Sequence, residues 1–174
     1  MPAQNDRRSD AVASAPGITL PDPAVRAHEM PTVERLTSDE QWDEAVPILR
    51  QLWSHEDEDF VRSWRDEADY ELYGYYAGDE SDDTDCELVA VAGLSVQRVL
   101  HHRRHAWVHD FVVDEAHRGE GHGATLLAWI ENWAERRECE YVALAAVLDN
   151  EEAREFYEAN GMETWGYVVE AKLE

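Results

Sequence analysis

The 174-residue sequence contains a single lysine, Lys172, and only two cysteines, Cys86 and Cys139. Two cysteines do not make a disulfide framework, so we expect a reducing, cytoplasmic location. No stretch approaches the roughly 18 consecutive apolar residues of a membrane-spanning helix. The N-terminal residues also lack the apolar stretch of a secretory signal. These absences argue against a disulfide-stapled secreted domain and against a membrane protein.

Basic residues are scarce beside acidic ones. Lys and Arg together number 15 against 39 Asp and Glu, which gives a formal net charge of -24 at pH 7. Such a negative field repels nucleic acid and anionic membranes, so we expect neither as a partner. Because concentrated salt screens self-repulsion, the composition predicts a protein from a halophile. Acidic patches are therefore weak evidence for a cationic substrate.

Hydrophobic residues are plentiful, at 44% of the chain with seven Trp and seven Tyr. A chain of this length and composition is expected to form one core. Five of the six prolines lie in the first 31 residues, where no hydrophobic period is sustained. We therefore predict a flexible N-terminal tail over residues 1–30 and one folded domain over residues 31–174.

Hydrophobic periodicity predicts alternating strands and helices. The predicted strands cover residues 32–37, 70–78, 88–100, 106–114, 140–148 and 162–174, and the predicted helices cover 38–53, 56–68, 121–136 and 149–161. Pro47 is expected either to kink the first helix or to mark a later start. The acidic stretch "DESDDTDCE" (79–87) reads as a solvated hairpin tip.

This order of elements predicts an α/β fold in one domain, with a mixed central sheet of six to seven strands and helices on both faces. The strand before the third helix and the strand after it form a βαβ unit. Those two strands are therefore expected to run parallel.

The stretch "HRGEGHG" (117–123) joins a predicted strand to a predicted helix. Its glycines would expose backbone N–H groups at a helix N-terminus, where the helix dipole favours an anion. Gly121 and Gly123 would let a diphosphate approach the backbone, and Arg118 would add a positive charge. The spacing fits neither the ATP-binding loop nor the dinucleotide motif. Taken alone, the stretch fits a simple strand-to-helix turn equally well.

A second stretch, "NEEAREFYEANGM" (150–162), follows the next predicted strand. Together with "VVDEAHRGEGHGATLL" (112–127), it resembles the GNAT superfamily of N-acetyltransferases. The first stretch matches that family's R/Q-x-x-G-x-G/A signature at Arg118, Gly121 and Gly123. The second matches its N-x-x-A-x-x-F-Y-x-x-x-G segment at Asn150, Ala153, Phe156, Tyr157 and Gly161. The resemblance spans roughly residues 32–173 in element order.

The resemblance implies a GNAT-like fold with a splay between the two central parallel strands, and acetyl-CoA as the cosubstrate lying in that gap. It places pantetheine against the main chain of Phe111, Val112 and Val113. It places the diphosphate beside Arg118 and on the amides of Gly119, Glu120, Gly121, His122, Gly123 and Ala124. Asn150 would lie near the cofactor arm, and Tyr157 would protonate the leaving thiolate.

The implied reaction is direct attack of a neutral amine on the thioester. Some amine-acetylating members carry a Glu where this chain has His109, next to an Asp that Asp110 matches. His109 is therefore our candidate for the general base, with Asp110 beside it, since an imidazole near its reference pKa of about 6.5 can accept a proton. Structural roles are equally open: His109 as an ordinary strand residue, and Asp110 as a buried carboxylate that orders the turn.

No metal is expected. His101, His102, His105 and His109 form a dense group. Residues four apart along a strand lie about 13 Å apart, too far to share one ion. A solvated basic turn over residues 101–105 is the simpler interpretation, with contact to the CoA 3′-phosphate or to an acidic partner as a lesser one.

The expected acceptor is a primary amine, on a small molecule or a protein. Its predicted pocket contains aromatic and acidic residues, which would suit a cationic amine: Trp53, His55, Glu56, Asp57, Phe60, Trp64, residues 73–76, Trp165 and Tyr167. Core packing and salt adaptation explain those residues equally well. A non-catalytic acyl-CoA-binding sensor, or transfer of a larger acyl group, are the alternatives. Dimers are common in the family, so a homodimer is compatible with the resemblance.

Overall fold

The computed structural model describes residues 32–78 and 86–173. The predicted tail over residues 1–30 and most of the predicted hairpin tip lie outside this range. The described elements are, in chain order, β1 (Thr32–Arg35), α1 (Asp39–Leu52), α2 (Glu58–Ser63), β2 (Glu71–Ala77), β3 (Glu87–Val99), β4 (Arg103–Val113), α3 (His122–Glu135), β5 (Tyr141–Leu144) and α4 (Glu151–Ala159). Short 3-10 turns, Trp64–Asp66 and Glu115–His117, follow α2 and β4.

One mixed sheet with the order β1-β2-β3-β4-β5 organises the described residues. The pairs β1–β2, β2–β3 and β3–β4 are antiparallel, and β5 runs parallel to β4. The predicted parallel βαβ pair and the predicted mixed α/β fold are therefore confirmed.

The predicted count of six to seven strands is wrong, because the sheet of the described residues has five. Residues 163–173 form no strand, although β-branched and aromatic residues gave them strand propensity. Trp165, Tyr167 and Val169 are mostly exposed there, and a strand forms only where a neighbouring edge accepts its hydrogen bonds. In the described sheet β5 is consequently an edge strand, so the parallel pair is not central.

Helix α1 starts where the sequence indicated. The Ser38 side chain accepts from the backbone N–H of Gln41, and the Gln41 side chain accepts in return from the backbone N–H of Ser38, which forms a capping box. Pro47 lies inside α1 without ending it. Its missing N–H removes one helical bond, but packing of the apolar face of α1 keeps the helix continuous.

Two cores cover the two faces of the sheet, as predicted. On one face α1 and α2 pack on the sheet through Trp42, Val46, Leu49, Val61, Leu72, Val91 and Val112. On the other face α3 packs through Ala92, Leu94, Ala106, Val108, Leu126, Ile130 and Trp133. The α1 and α3 faces therefore hold different residues of the same strands.

The two cysteines are not bonded to each other: Cys86 is exposed and Cys139 is partly buried. Across the described residues, no helix combines the length and the apolar character that crossing a bilayer requires.

Candidate active site

Strands β4 and β5 stop pairing halfway along β4. Their parallel ladder runs from His105–Tyr141 to Val108–Leu144, and β4 then continues through residues 109–113 without a partner in β5. The Phe111 ring lies 5.8 Å from that of Phe156 and 6.1 Å from that of Tyr157, so α4 lies over this end of β4. The strands thus part where the resemblance implied a gap.

The glycine turn has the backbone conformation that its sequence requires. Gly119 and Gly121 have positive φ angles of 82° and 90°, which residues with a Cβ rarely adopt. Gly121 is the N-cap of α3, and among the described residues no side-chain hydrogen bond caps this helix start. The first amides of α3 are therefore not capped by a side chain, which leaves a helix N-terminus able to receive an anion.

Gly123 is needed for close packing and not for an unusual backbone conformation. A Cβ at Gly123 would lie 3.2 Å and 3.3 Å from two ring atoms of Phe156. The absence of a side chain lets α4 approach the first turn of α3. One motif glycine therefore joins the two stretches that carried the family resemblance.

Arg118 ties the turn to the fold. Its Nε donates to the Val113 carbonyl at 3.1 Å, and its Nη2 donates to Gln51 Oε1 at 3.2 Å. The same Gln51 oxygen accepts from the Glu115 amide at 2.9 Å. Arg118 and Gln51 together anchor the turn to α1. Contact between Arg118 and phosphate stays a prediction.

The second motif builds helix α4. Asn150 caps it by accepting from the Ala153 amide at 3.0 Å. Gly161 follows its end with a φ angle of 85°. Tyr157 is partly buried between Phe111 and Phe156, and this burial raises its pKa to about 12. The phenol is therefore protonated at neutral pH, although the raised pKa makes it a weaker acid than an exposed tyrosine.

A β-bulge falls at His109. Gly93 of β3 pairs with Asp110 and the next residue, Leu94, pairs with Val108, so His109 is an extra residue in β4. A bulge re-aims the side chains beside it. His109 and Asp110 consequently both contact Tyr70, although consecutive strand residues normally point to opposite faces.

Asp110 is a buried, doubly hydrogen-bonded carboxylate, with only 7% of its surface exposed. Tyr70 Oη donates to its Oδ2 and Trp53 Nε1 donates to its Oδ1, each at 2.5 Å. A Cβ at Gly93 would overlap both the Tyr70 ring and this carboxylate. These contacts support the structural alternative for Asp110: it joins the end of α1 and the start of β2 to β4.

His109 has the environment of a neutral imidazole. Burial lowers its pKa below the usual 6.5, and the nearby Asp110 carboxylate opposes part of that shift. Its Nε2 lies 2.8 Å from the buried hydroxyl of Ser95. The rings of Tyr70 and Trp64 lie 5.6 Å and 6.2 Å away. His109 is thus held in place and unprotonated at pH 7.

A cavity of about 440 Å³ opens beside His109. Its lining combines aromatic, acidic and polar groups: Trp64, Glu67, Asp69, Tyr70, Ser95, Gln97 and His109. Carboxylates and aromatic faces together suit a protonated amine. A second hollow of about 530 Å³, between α1 and the start of β3, contains none of the candidate catalytic residues.

The predicted acceptor residues are only partly brought together. Trp64 lines the cavity, whereas Trp53 does not line it and instead donates a hydrogen bond to Asp110. Tyr73 and Tyr75 instead belong to the core under α3, on the opposite face of the sheet. The Trp165 ring stacks on His101 at 4.9 Å, with a ring angle of 6°.

The interpretation of residues 101–105 as a solvated turn is wrong for His105. Strand β4 starts at Arg103, and His105 is buried with 3% of its surface exposed. Its Nδ1 has no hydrogen-bond partner among the described residues. Burial lowers its pKa, and His102 and His101 lower it further. The error arose because a histidine pair and an arginine pair looked polar, while β3 and β5 flank His105 on both sides.

Several site residues were missed at the sequence level. Tyr70 and Ser95 contact the two candidate catalytic residues, while Glu67 and Asp69 line the cavity. The alternation along β3 offered one signal, because Gly93 and Ser95 point to the same face as Val91. The bulge that aligns His109 with them has no signature in the sequence.

Comparisons with known proteins agree with this architecture. Residues 37–162 match the model of the acetyltransferase (GNAT) family. An uncharacterised N-acetyltransferase of Bacillus subtilis is 27% identical over 142 residues, which are 81% of this chain and 94% of the relative. A transcriptional regulator of Bacillus halodurans has a TM-score of 0.68 at 18% identity, over 83% of this chain and 100% of its own. An aminoglycoside 6′-N-acetyltransferase of Acinetobacter baumannii has a TM-score of 0.65 at 20% identity, over 83% of this chain and 99% of its own. At such identities, the solved structures show a common fold.

Proposed function

The chain belongs to the acetyltransferase (GNAT) family, and on that premise we propose that it moves an acetyl group from acetyl-CoA to a primary amine that binds as a cation. The observation that carries this proposal is the cavity at His109. It places a neutral imidazole beside two carboxylates and two aromatic rings. That set can bind an ammonium group and then accept its proton.

The residues of the chain fit acetyl-CoA at two places. Glycines with positive φ angles at 119 and 121 leave the start of α3 without a side-chain cap, which suits a diphosphate. The unpaired part of β4, residues 109–113, offers main-chain groups to an extended arm. Acetyl-CoA supplies the acetyl group, activated as a thioester.

His109 would act as the general base. The bound ammonium group would first lose one proton to bulk water and become a neutral amine. As the amine nitrogen forms its bond to the acetyl carbon, His109 would take the second proton that the nitrogen loses, directly or through one water. Ser95 would hold the imidazole in place through its bond to Nε2. A backbone N–H near Phe111 or Val112 would donate to the carbonyl oxygen as negative charge grows there.

Tyr157 would complete the exchange. When the carbon–sulfur bond breaks, the sulfur would leave as a thiolate and Tyr157 would give it the phenolic proton. The proton held by His109 would then return to Tyr157 through water, which restores both side chains. Burial raises the pKa of Tyr157 to about 12, and the phenol carries its proton at neutral pH as an exposed tyrosine also does. The net result is one amide, one free thiol and one proton released from the original ammonium group.

The acceptor pocket favours a small polycationic amine over an amino group on a protein. Glu67 and Asp69 stand on the same cavity as Trp64 and Tyr70, so a chain with two or more ammonium groups can contact both kinds of side chain. The aminoglycoside acetyltransferase with the same fold makes aminoglycosides a sensible arm of the test.

The test uses the full chain in molar KCl, since we propose that its charge of -24 reflects adaptation to salt. Acetyl-CoA is offered with a panel of diamines, polyamines, aminoglycosides and lysine peptides, and free thiol is followed. Turnover with cationic amines supports the proposal. Tight CoA binding without turnover on any amine would replace it with the acyl-CoA sensor. A preference for a longer acyl-CoA would change only the identity of the transferred acyl group in the proposal.

Two variant sets separate the ends of the site. Glu67→Gln combined with Asp69→Asn is expected to raise KM for the amine and to leave KM for acetyl-CoA unchanged. Tyr157→Phe is expected to lower kcat with little change in CoA affinity. An unchanged rate in Tyr157→Phe would leave this side chain a purely structural role.

A further inference from the structure

The glycine turn carries a cluster of metal-ligating side chains that the reaction does not use. His117, Glu120 and His122 each offer one ligand atom, and these atoms lie within 4.8 Å of one another. We propose that they form a binding site for a divalent transition metal of the zinc class. The expectation of no metal rested on the histidines at 101–109, which lie elsewhere in the sequence.

The distances within the cluster suit such an ion. Glu120 Oε2 lies 3.2 Å from His122 Nε2 and 3.8 Å from His117 Nδ1. In a tetrahedral site with bonds of about 2.0–2.1 Å, two ligand atoms lie about 3.3 Å apart. Small rotations of the partly exposed His117 and Glu120 side chains would close the remaining difference. Two imidazoles and one carboxylate leave a fourth position for water.

The outer nitrogens of both histidines lie near acceptors of the kind that metal-bound histidines use: His122 is within hydrogen-bond distance of its acceptor, and His117 is slightly beyond that distance. A histidine bound to a metal through one ring nitrogen donates its other N–H to a carboxylate or another acceptor. His117 Nε2 lies 3.6 Å from Glu87 Oε1. His122 Nδ1 lies 3.3 Å from the hydroxyl of Tyr75, whose ring is buried. If Nδ1 of His117 and Nε2 of His122 bind the ion, Glu87 and Tyr75 lie at the opposite ring nitrogens and can orient the two rings.

The backbone also prearranges the cluster. Gly119 and Gly121, both with positive φ angles, alternate with the ligands and fold residues 117–122 tightly enough to bring them together. An ordinary helix or strand does not place residues at these spacings around one point. The ion would therefore fix the conformation of the turn. It would also neutralise Glu120, which is the acidic residue inside the proposed diphosphate seat.

The test measures metal binding without acetyl-CoA, so its outcome is independent of the proposed acetyltransferase activity. Tag-free full chain is dialysed against Zn²⁺ in molar KCl at neutral pH, and bound zinc is counted per chain. One zinc per chain is expected. His117→Ala and His122→Ala are each expected to weaken binding by about 100-fold or more, because each removes a ligand.

Glu87→Gln changes an outer partner and is expected to weaken binding by about tenfold. His55→Ala is the matched control, because His55 also lies beside a glutamate, Glu56 at 3.4 Å, but does not belong to the cluster of His117, Glu120 and His122. It is expected to bind zinc like the parent. Co²⁺ in place of zinc should give the strong visible bands of a tetrahedral site, and His122→Ala should lose them.

Circular dichroism of each variant checks that the fold is kept. Parent-like zinc binding in both His117→Ala and His122→Ala would overturn the proposal. Loss of the zinc in His101→Ala or His102→Ala would overturn it too, because the ion would then sit on that histidine pair. A chain that binds no zinc at micromolar free metal would also end it.

Discussion

Strand β4 contributes to the site in two different ways. After its end, the glycine turn prepares an anion site from backbone: two left-handed glycines and an uncapped helix start. In its middle, the bulge at His109 prepares a second site from side chains, with Ser95, Tyr70, Trp64 and Asp110 gathered from three other segments and from β4 itself. The first site uses about seven consecutive residues, whereas the second depends on contacts across the whole fold.

This difference explains which substitutions each site tolerates. Backbone amides survive most side-chain changes, so the turn is sensitive mainly at positions where glycine is required. Side-chain sites fail when a single partner is lost, because a buried polar group is left unsatisfied. We therefore expect steep, residue-specific losses at the bulge and milder, conformation-specific losses at the turn.

The largest expected effect is at the side-chain site. His109→Ala should lower kcat by about 100-fold or more, since it removes the general base, while KM for acetyl-CoA stays close to that of the parent. Steady-state kinetics with the best amine of the panel measures both. Glu131→Gln, at an exposed residue of α3 outside the cavity, is the control. A kcat within threefold of the parent would make His109 a structural residue. The expected difference between a steep loss at the bulge and a milder loss at the turn would then be wrong.

A loss of stability comes next. Asp110→Ala leaves the Trp53 and Tyr70 donors without their acceptor and should lower the free energy of unfolding by about 3 kcal/mol. Asp110→Asn keeps one acceptor oxygen and should lose about half as much. Denaturant unfolding in molar KCl measures both, and Asp66→Ala, at an exposed acid, should change stability by less than about 0.5 kcal/mol. A stable Asp110→Asn with no activity would instead give Asp110 a catalytic role.

The turn should show the smaller, conformational loss. Gly121→Ala forces a Cβ into a φ angle of 90° and should lower stability by about 1–2 kcal/mol. It should also raise KM for acetyl-CoA by about tenfold, because the new methyl group stands on the surface that the diphosphate approaches. Gly166→Ala is the matched control: nothing lies near its Cβ and its φ angle is not positive. Equal KM values for both variants would place the diphosphate elsewhere.

The smallest expected effect is on pH dependence. Burial lowers the pKa of His109 below 6.5 in the folded chain, so the residue is neutral in both states and contributes no slope only well above pH 6.5. As pH falls below 6.5, the unfolded chain binds the proton more readily, and stability decreases until the folded pKa is passed. His109→Gln should flatten unfolding free energies measured between about pH 5 and 7. An unchanged slope would assign it to other groups, of which the buried His105 is the first to test.

Much of the fold was predictable because its signals are local. The helices α1, α3 and α4 and the parallel pair around the glycine turn each follow from a few neighbouring residues. The cap at Asn150 and the left-handed Gly161 fall at the two ends of the helix predicted over residues 149–161. Two short motifs were enough to identify the family that residues 37–162 match.

The failures came where long-range contacts decide. Residues 163–173 have the composition of a strand, yet they form no ladder with the open edge of the short strand β5, and composition alone does not decide pairing. His105 looked like a turn residue until β3 and β5 enclosed it. Tyr70 and Asp110 are 40 residues apart in sequence, and no local pattern announces their hydrogen bond.

The extra residue at His109 also acts as a phase shift in β4. Before it, Ala106 and Val108 belong to the core under α3; after it, Val112 belongs to the core under α1, while Phe111 and Val113 turn towards α3. Without the extra residue, the side chains of β4 after position 109 would point to the opposite faces of the sheet, and Phe111 would point towards α1. One inserted residue thus lets a single strand address the proposed cofactor on one face of the sheet and the proposed acceptor on the other.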